Sequence, residues 1–571
     1  MKFSKLAIYL ENLEKTASRI KITKILAELF KNSDKEEIDK IVNLILGRLA
    51  PSYENIVFNF ADRLMLHSIS KAYNLDIRKV RTLYKQKGDL GDVVETLASK
   101  DIKGTINVAR VYKELVIIAK EQGEGSQERK IEETADLLKK LDPKSAKYTA
   151  RIILGKLRLG FSDKTVLDAL SWMLKNDKSI KKDLEKLYYI TPDVAHLAKS
   201  IKTQGLQKTL INTTARVGIP ILPMLAQRLK SPEEMIEKMG RVAVEPKFDG
   251  LRIQIHFQNN PRIVKAFTRN LNEVSWMFPE LEKIKDFVST KSAVLDTEAI
   301  GVSEDRKKLA NFQTTMTRRR KHEINKFMNK VPIRFYVFDI LVKNDKSLLD
   351  LPYIKRREAL NAVVSKQGLL VIDDFVLTSN PNDIRKEMKK SLNLGLEGII
   401  VKKADSFYIP GRTGWRWVKM KEKEDSRAKL ADTVDCVIMG YSLGKGKRAS
   451  FGIGQFLVGI QDKDQIKTIT KVGTGITDEK FYYLKKLLKS LKTKNKPKSY
   501  LLNDKNLMPD YWVEPKILVE IAADEITVSP THSSGFALRF PRMVKIRDDK
   551  PLEEATTIKE IKELYKMQNK R

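Results

Sequence analysis

One cysteine, Cys436, stands in a chain of 571 residues. A single thiol excludes an internal disulfide and any zinc site built on several cysteines. The five histidines, His67, His196, His256, His322 and His532, lie far apart and share no ligand spacing. Apolar runs long enough to cross a bilayer are missing. The opening MKFSKLAIYLENLEK interrupts its apolar stretch with acids, which a secretory signal does not tolerate. There is no sustained repeat and no long low-complexity tail. Acids are in deficit: 73 Asp and Glu against 108 Lys and Arg leave a net charge of +35. A charge of that size concerns partners rather than fold. The expectation is a soluble intracellular protein that works on nucleic acid, with an anionic membrane surface as the second choice.

What is present suits a folded, multidomain chain. Hydrophobic residues make up 42%, and the length is too great for one core. Residues 1 to about 215 have helical periodicity. Phe3, Leu6, Leu10 and Leu13 keep one face, as do Ile131, Leu138 and Leu141, with Pro143 beyond as a stop. Two stretches interrupt this region. GSQERK (125–130) runs into a helix with Ser126 as N-cap, a start that can bind phosphate. GKLRLG (155–160) sets Lys156 and Arg158 between glycines that permit close backbone approach. On composition alone, ordinary solvated loops fit both.

GIPILPMLAQ (218–227) has two prolines and is expected to be a linker into a new domain. Strand patterns then appear at 251–257, 294–300, 333–342 and 398–402, separated by helical ones, which is an α+β texture. In the run from Leu251 to Gln258, Leu251, Ile253, Ile255 and Phe257 point one way; Arg252, Gln254, His256 and Gln258 point the other. Val242 and Val244 mark a strand before it. Asp249-Gly250 between the two predicts a hairpin, with Lys247 at its mouth. Beyond about residue 425, short strands alternate with Gly-rich turns, as in a small β-barrel or sandwich. The basic runs RRRK (318–321) and KSLKTKNKPK (489–498) read as solvated or phosphate-facing loops. The reading gives three domains: 1–217, all-α; 218–424, α+β; 425–571, β.

Taken singly, the polar residues of the middle region suit a bland role. Lys247 can be a solvated lysine, Phe338 plain core, and Glu298 and Glu397 a solvated face. Taken in order they form a series: K-x-D-G at Lys247, T-R-N at Arg269, L-D-T-E at Asp296 and Glu298, F-D-I at Phe338 and Asp339, E-G-I-I-V-K at Glu397, W-x-K-x-K at Trp417, Lys419 and Lys421, then R-F-P-R and R-x-D-K at Arg539, Arg542, Arg547 and Lys550. This series resembles the ATP-dependent DNA ligases, which are covalent nucleotidyltransferases. The helical front with GSQERK and GKLRLG resembles the replicative ligases of archaea and eukaryotes.

The resemblance implies a helical DNA-binding domain, an adenylation domain and a C-terminal OB-fold. It implies ATP and magnesium as cofactors and nicked duplex DNA as substrate, sealed through a lysyl-AMP and a DNA-adenylate in replication, recombination and repair. Lys247 would attack the α-phosphorus, which a lysine does only as a neutral amine. Glu245 would read the adenine amine and Phe338 would stack on the ring. Arg252 and Arg269 would hold ribose or phosphates, and Lys419 and Lys421 would neutralise phosphate oxygens. Glu397 is the first choice for magnesium and Glu298 the second, with ribose as the alternative for Glu298. Asp296 is expected to be structural. Archaeal relatives often carry arginine where this chain has Thr413, and a phosphate role passes to Arg412, one residue earlier. Arg539, Arg542 and Lys550 would close over the ATP phosphates. Ser126, Lys156 and Arg158 would grip DNA backbone, mostly without sequence preference.

The implied state is a monomer in the cytoplasm on the nucleoid, or in the nucleus of a eukaryote. Neither end carries a sliding-clamp peptide of the Q-x-x-aliphatic-x-x-aromatic-aromatic kind, so a clamp contact stays open. Rivals are a GTP-using capping enzyme, disfavoured by the helical front and R-F-P-R, an RNA ligase, and a DNA-binding scaffold with a decayed site. An NAD-dependent ligase normally carries a four-cysteine zinc module, which one cysteine excludes.

Overall fold

A computed structural model describes residues 1–157, 159–229, 231–303, 309–310, 312–318, 330–365, 368–411, 414–421, 433–444 and 452–569. Arg158, Arg412, Thr413 and three residues of the RRRK run (319–321) lie outside the described residues. The chain divides into two units, Met1–Met420 and Lys421–Arg571.

From Phe3 to Asn212 the described residues form twelve α-helices. The apolar spacing of the first is its buried face: Phe3, Leu6, Leu10 and Leu13 are fully buried. Helix starts follow the cap rules, with Ser18, Asp76, Asp89, Asn107, Asp142 and Asp193 each accepting a backbone N–H. Pro143 is the first residue of the Pro143–Ile153 helix, where its missing N–H goes unneeded. Ser126 is not a cap. The Ser126–Lys139 helix is preceded by Gly125 at φ +72°, a left-handed backbone that glycine takes without strain, and Ser126 is the first helical residue.

Two sheets follow. The first pairs β1 (Gln227–Arg228), β2 (Val242–Lys247), β9 (Val376–Thr378), β10 (Gly398–Lys403) and β11 (Trp417–Lys421) in the order β1-β11-β10-β2-β9. The second runs β4-β3-β5-β6-β7, from β3 (Leu251–Gln258), β4 (Ile263–Thr268), β5 (Ser292–Gly301), β6 (Ile333–Lys343) and β7 (Lys346–Ser347), with β8 (Leu370–Ile372) parallel to β6. The expected hairpin at Asp249-Gly250 is therefore absent. β2 pairs with β10 and β9, whereas β3 pairs with β4 and β5. Residues 248–250 carry the chain from one sheet to the other. Gly250 is needed there for space: a Cβ would lie 2.5 Å from the Ala299 carbonyl oxygen and 2.8 Å from Ile300 Cγ1.

The polar face of β3 is buried as well. Residues 218–224, part of the 218–227 stretch expected to be a linker, lie over it. Gly218 N–H donates to His256 Nδ1 (3.0 Å), and Ile221 N–H to Gln254 Oε1 (2.7 Å). Gln254 Nε2 donates back to Ile221 O (3.2 Å), and Gln254 Oε1 takes His256 Nε2–H (2.9 Å). Every polar atom of the two side chains is thereby engaged. Burial pushes the imidazole pKa down to about 3, so His256 stays neutral.

The C-terminal unit is β-rich. β12 (Val434–Ser442) pairs with β13 (Gln455–Asp462), β17 (Tyr511–Val513) and β18 (Leu518–Ala522); β13 continues to β14 (Gln465–Val472). β15 (Lys492–Thr493) and β16 (Tyr500–Leu501) flank this sheet, the former inside the second basic run. β19 (Glu525–Val528) pairs with β20 (Phe536–Arg539) in a separate ribbon. β21 (Arg542–Ile546) returns to β18. The Asp478–Ser490 and Ile558–Asn569 helices, not anticipated from sequence, pack Phe481, Leu484, Leu488 and Ile561 into the barrel core.

Arg356 ties the helix Tyr353–Asn361 to β6 and to the segment after β10. Its guanidinium donates to Asp339 of β6 (2.8 and 2.9 Å), Leu351 O (2.7 Å) and Ser406 O (3.2 Å), with both charged side chains fully buried. Asp339, from the F-D-I motif, is thus a structural acid. Arg356→Ala should strand it and destabilise the fold by about 3–5 kcal/mol. Calorimetry should show the corresponding transition fall by roughly 10 °C, and Arg356→Lys, which lacks the planar fork, should not restore it.

Candidate active site

The two sheets meet around a cavity of about 950 Å³. β2 contributes Glu245 and Lys247, β10 Lys402, and β11 Trp417 and Lys419; β3 contributes Arg252, β5 Glu298 and β6 Phe338. Arg269, exposed just after β4, lines it too. Of the residues singled out from sequence, Glu245, Lys247, Arg252, Arg269, Glu298, Phe338, Trp417 and Lys419 line one space, and Glu397 is not among its lining residues. Lys421 closes β11 but is not among the lining residues.

The antiparallel register of β10 on β2 sets Gly398 opposite Lys247 and Ile400 opposite Glu245. Glu397 N–H donates to the Lys247 carbonyl (3.1 Å), and the Lys247 ammonium pairs with the Glu397 carboxylate. Glu298 stands nearby, accepting the Gly250 N–H. Burial raises its pKa to about 7, although Lys247 and Arg252 pull the other way. The immediate charged neighbours of Lys247 are thus carboxylates.

Arg252 departs from its expected role. It donates to Asp296 through Nε (3.0 Å) and Nη2 (2.7 Å), and to Met224 O through Nη1 (2.7 Å). Most of its N–H groups go to protein acceptors, and its plane lies over the rings of Phe338 (5.4 Å) and Trp417 (5.3 Å). Asp296 is the buried structural acid of that pair and also accepts from Tyr408 Oη (2.9 Å). Lys156 pairs with Asp62 at 2.5 Å. In the C-terminal unit Arg539 pairs with Glu525 (2.7 Å), Arg542 with Asp524 (2.7 Å), and Arg547 and Lys550 with Asp435 (3.1 and 2.9 Å).

Sequence reasoning missed part of the wall. The helical region contributes Asn55, Val57, Asn59 and Gln122 to the cavity, and Asn55 Nδ2 donates to Glu273 O (3.1 Å). It also missed Tyr353 and Lys402. The second lies inside the E-G-I-I-V-K motif; the first has no signal beyond a helix start after Pro352.

Among the described residues no cluster of three or more His, Cys, Asp or Glu could cage a metal, and no helix is long and apolar enough to cross a membrane. Glu397 and Glu298 do suit magnesium, which takes one or two carboxylates together with substrate phosphates and water.

Family profiles match along the chain: DNA ligase N terminus at residues 2–171, ATP dependent DNA ligase domain at 223–421, and ATP dependent DNA ligase C terminal region at 449–550. A probable DNA ligase of Dictyoglomus turgidum is 39% identical, covering 100% of this chain and 98% of that one. DNA ligases of Pyrobaculum calidifontis and Nitrosopumilus maritimus are each 36% identical over 100% of this chain and 99% of theirs. The solved chain Pmar-Lig_Pre has the same fold at 18% identity, with a TM-score of 0.51 over 95% of this chain and 99% of that one. The chain belongs to the ATP-dependent DNA ligases, and its activity is that of a DNA ligase using ATP.

Glu298 gives a pH prediction. A carboxyl whose folded pKa lies above its unfolded value binds more protons in the folded state between about 4.5 and 7, so its ionisation weakens the fold as pH rises through that window. Glu298→Gln should therefore unfold at higher temperature than the parent at pH 8, by on the order of 1–3 kcal/mol. The gap should close toward pH 4.5 in parallel thermal scans.

Proposed function

We propose that Lys247 carries AMP. Its Nζ attacks the α-phosphorus of ATP, the bond to pyrophosphate breaks, and a phosphoramidate forms. Glu397, in contact with Nζ, is placed to take the proton that the amine must lose. The observation that carries this reading is Lys247 at the junction of two sheets, with carboxylates on its near side and Lys419 on the same cavity wall. Glu245 and Phe338 form the base end, by edge and by face. Arg252 orients Phe338 and Trp417 rather than gripping phosphate, while Arg269 and Lys419 meet the ribose or phosphates, with Lys421 and Arg412 assigned beside them. Magnesium held by Glu397 or Glu298 would neutralise phosphate oxygens; Glu298 has ribose as its alternative.

AMP then passes to the 5′-phosphate of a nicked duplex, and the 3′-hydroxyl displaces it. The helical region holds the duplex through Ser126, Lys156 and Arg158, and Lys156 exchanges Asp62 for a phosphate. The C-terminal domain is an OB-fold whose Arg539, Arg542 and Lys550 serve the triphosphate in the first step, exchanging their carboxylate partners for phosphate oxygens. The protein acts as a monomer in replication, recombination and repair, in the cytoplasm on the nucleoid or in a nucleus.

Incubation with magnesium and α-labelled ATP, after stripping with pyrophosphate, should label the denatured chain, and Lys247→Ala should abolish the label. A parent chain that takes no label would overturn the lysyl-AMP step. Raising salt from about 50 to 200 mM should reduce nick sealing at least tenfold more than self-adenylation, because only sealing depends on phosphate contacts to DNA. Equal loss of both would count against a DNA-gripping front.

A further inference from the structure

Both oxygens of Glu245 are already held from behind. The Tyr353 hydroxyl donates to Oε1, and Lys402 Nζ donates to Oε2 at 2.5 Å. Glu245, Lys402 and Tyr353 are 2%, 1% and 0% exposed. Lys402 Nζ also donates to Phe338 O (3.3 Å) and lies over the rings of Trp417 (4.4 Å), Phe338 (4.6 Å) and Tyr353 (4.8 Å). One buried ammonium thus ties together the two groups assigned to the base, the acid and the ring.

Tyr353 is no looser. It opens the helix Tyr353–Asn361, its N–H donates to Ser406 O (2.9 Å), and the same helix is fixed by Arg356 on Asp339 and by Arg357 on Asp373. The groups that act on the Glu245 charge come from three directions. β10 supplies Lys402, the helix supplies Tyr353 and Arg357, and the segment after β8 supplies Asp373. Burial, with Asp373 adding to it, outweighs Lys402 and Arg357 and pushes the carboxyl up to about 8, so the ionised form depends on the Lys402 ammonium held against Oε2.

We propose that Tyr353 and Lys402 are the positioning residues that set nucleotide choice, by presenting Glu245 to the purine as an oriented, ionised carboxylate. This rests on the assignment of Glu245 to the base. Adenine offers a donor, its N6 amine, where guanine offers the acceptor O6. An ionised carboxylate only accepts, so it takes adenine and repels guanine. A protonated one carries an O–H donor and can satisfy O6. The lysine keeps the acid in the first state, and the tyrosine keeps its plane.

The test is self-adenylation of the full-length chain with labelled ATP and GTP between pH 6 and 9. Tyr353→Phe should raise KM for ATP about tenfold, the worth of one hydrogen bond to a charged acceptor, with kcat for labelling nearly unchanged. Lys402→Met should raise labelling by GTP relative to ATP at least tenfold, most strongly at low pH, where the freed acid is protonated. Thermal unfolding checks that each variant is folded, and if Lys402→Met does not fold, Tyr353→Phe decides. Folded variants with parental KM and parental ATP preference would overturn the proposal. Glu245→Gln separates the two levels. If it leaves the preference intact while Lys247 is still labelled, the base-reading assignment itself fails. If it shifts the preference and the other two variants do not, only the role of Tyr353 and Lys402 fails.

Discussion

The chain leaves one sheet at Lys247 and enters the other at Leu251, and the Ala299 carbonyl stands 2.5 Å from where a Cβ on Gly250 would be. That close crossing brings the end of β2, an inner strand of one sheet, against the start of β3, an inner strand of the other. Everything at the cavity depends on it. Lys247 ends β2 next to the crossing, Arg252 begins just after it, and Glu298 lies opposite Arg252 in the β3–β5 register. A wider crossing would separate the acids from the lysine and leave two unrelated sheet surfaces.

The crossing also explains why the cavity is lined by paired charges. Chain reversal between sheets buries polar side chains from both, and a buried charge must find a partner. Arg252 takes Asp296, Lys402 takes Glu245, and Lys247 takes Glu397. In the first pair Asp296 is buried while Arg252 keeps 17% of its side-chain surface, and in the second both members are buried. The third sits where a substrate can reach, and its two members have 19% and 22% of their side-chain surface exposed.

Much of this was legible in the sequence. The alternating runs became β3, β5, β6 and β10 within about two residues at each end, because hydrophobic period reports local geometry. Residues from several of the motifs, among them Lys247, Arg269, Glu298, Phe338 and Lys419, line one cavity. What escaped was long-range. Asp-Gly favours a tight turn of any purpose, and the sequence does not say whether the flanking strands pair with each other or with strands about 150 residues away. His256 and Gln254 looked solvent-facing because alternation assumes one wet face, and the segment that covers them is not visible in the pattern. Ser126 lost its cap position to a glycine one residue earlier, within the usual uncertainty of helix ends. Arg252 looked like a phosphate ligand, but Asp296, two residues off in register on the adjacent strand, holds its fork. Tyr353 had no local signal at all.

The segment over β3 bears on how far the helical region can travel. A ten-residue flexible leash would let its ends range about 17 Å. Here residues 218–224 are stitched to Gln254 and His256, and Met224 O holds Arg252. Only the few residues after Asn212 are left to bend, and Ala215 among them is itself buried. The joint behaves as a short stiff elbow rather than a tether. A swing of the helical region about it pulls directly on the backbone that seats Arg252, so the position of that region and the shape of the cavity are linked through one stretch of main chain.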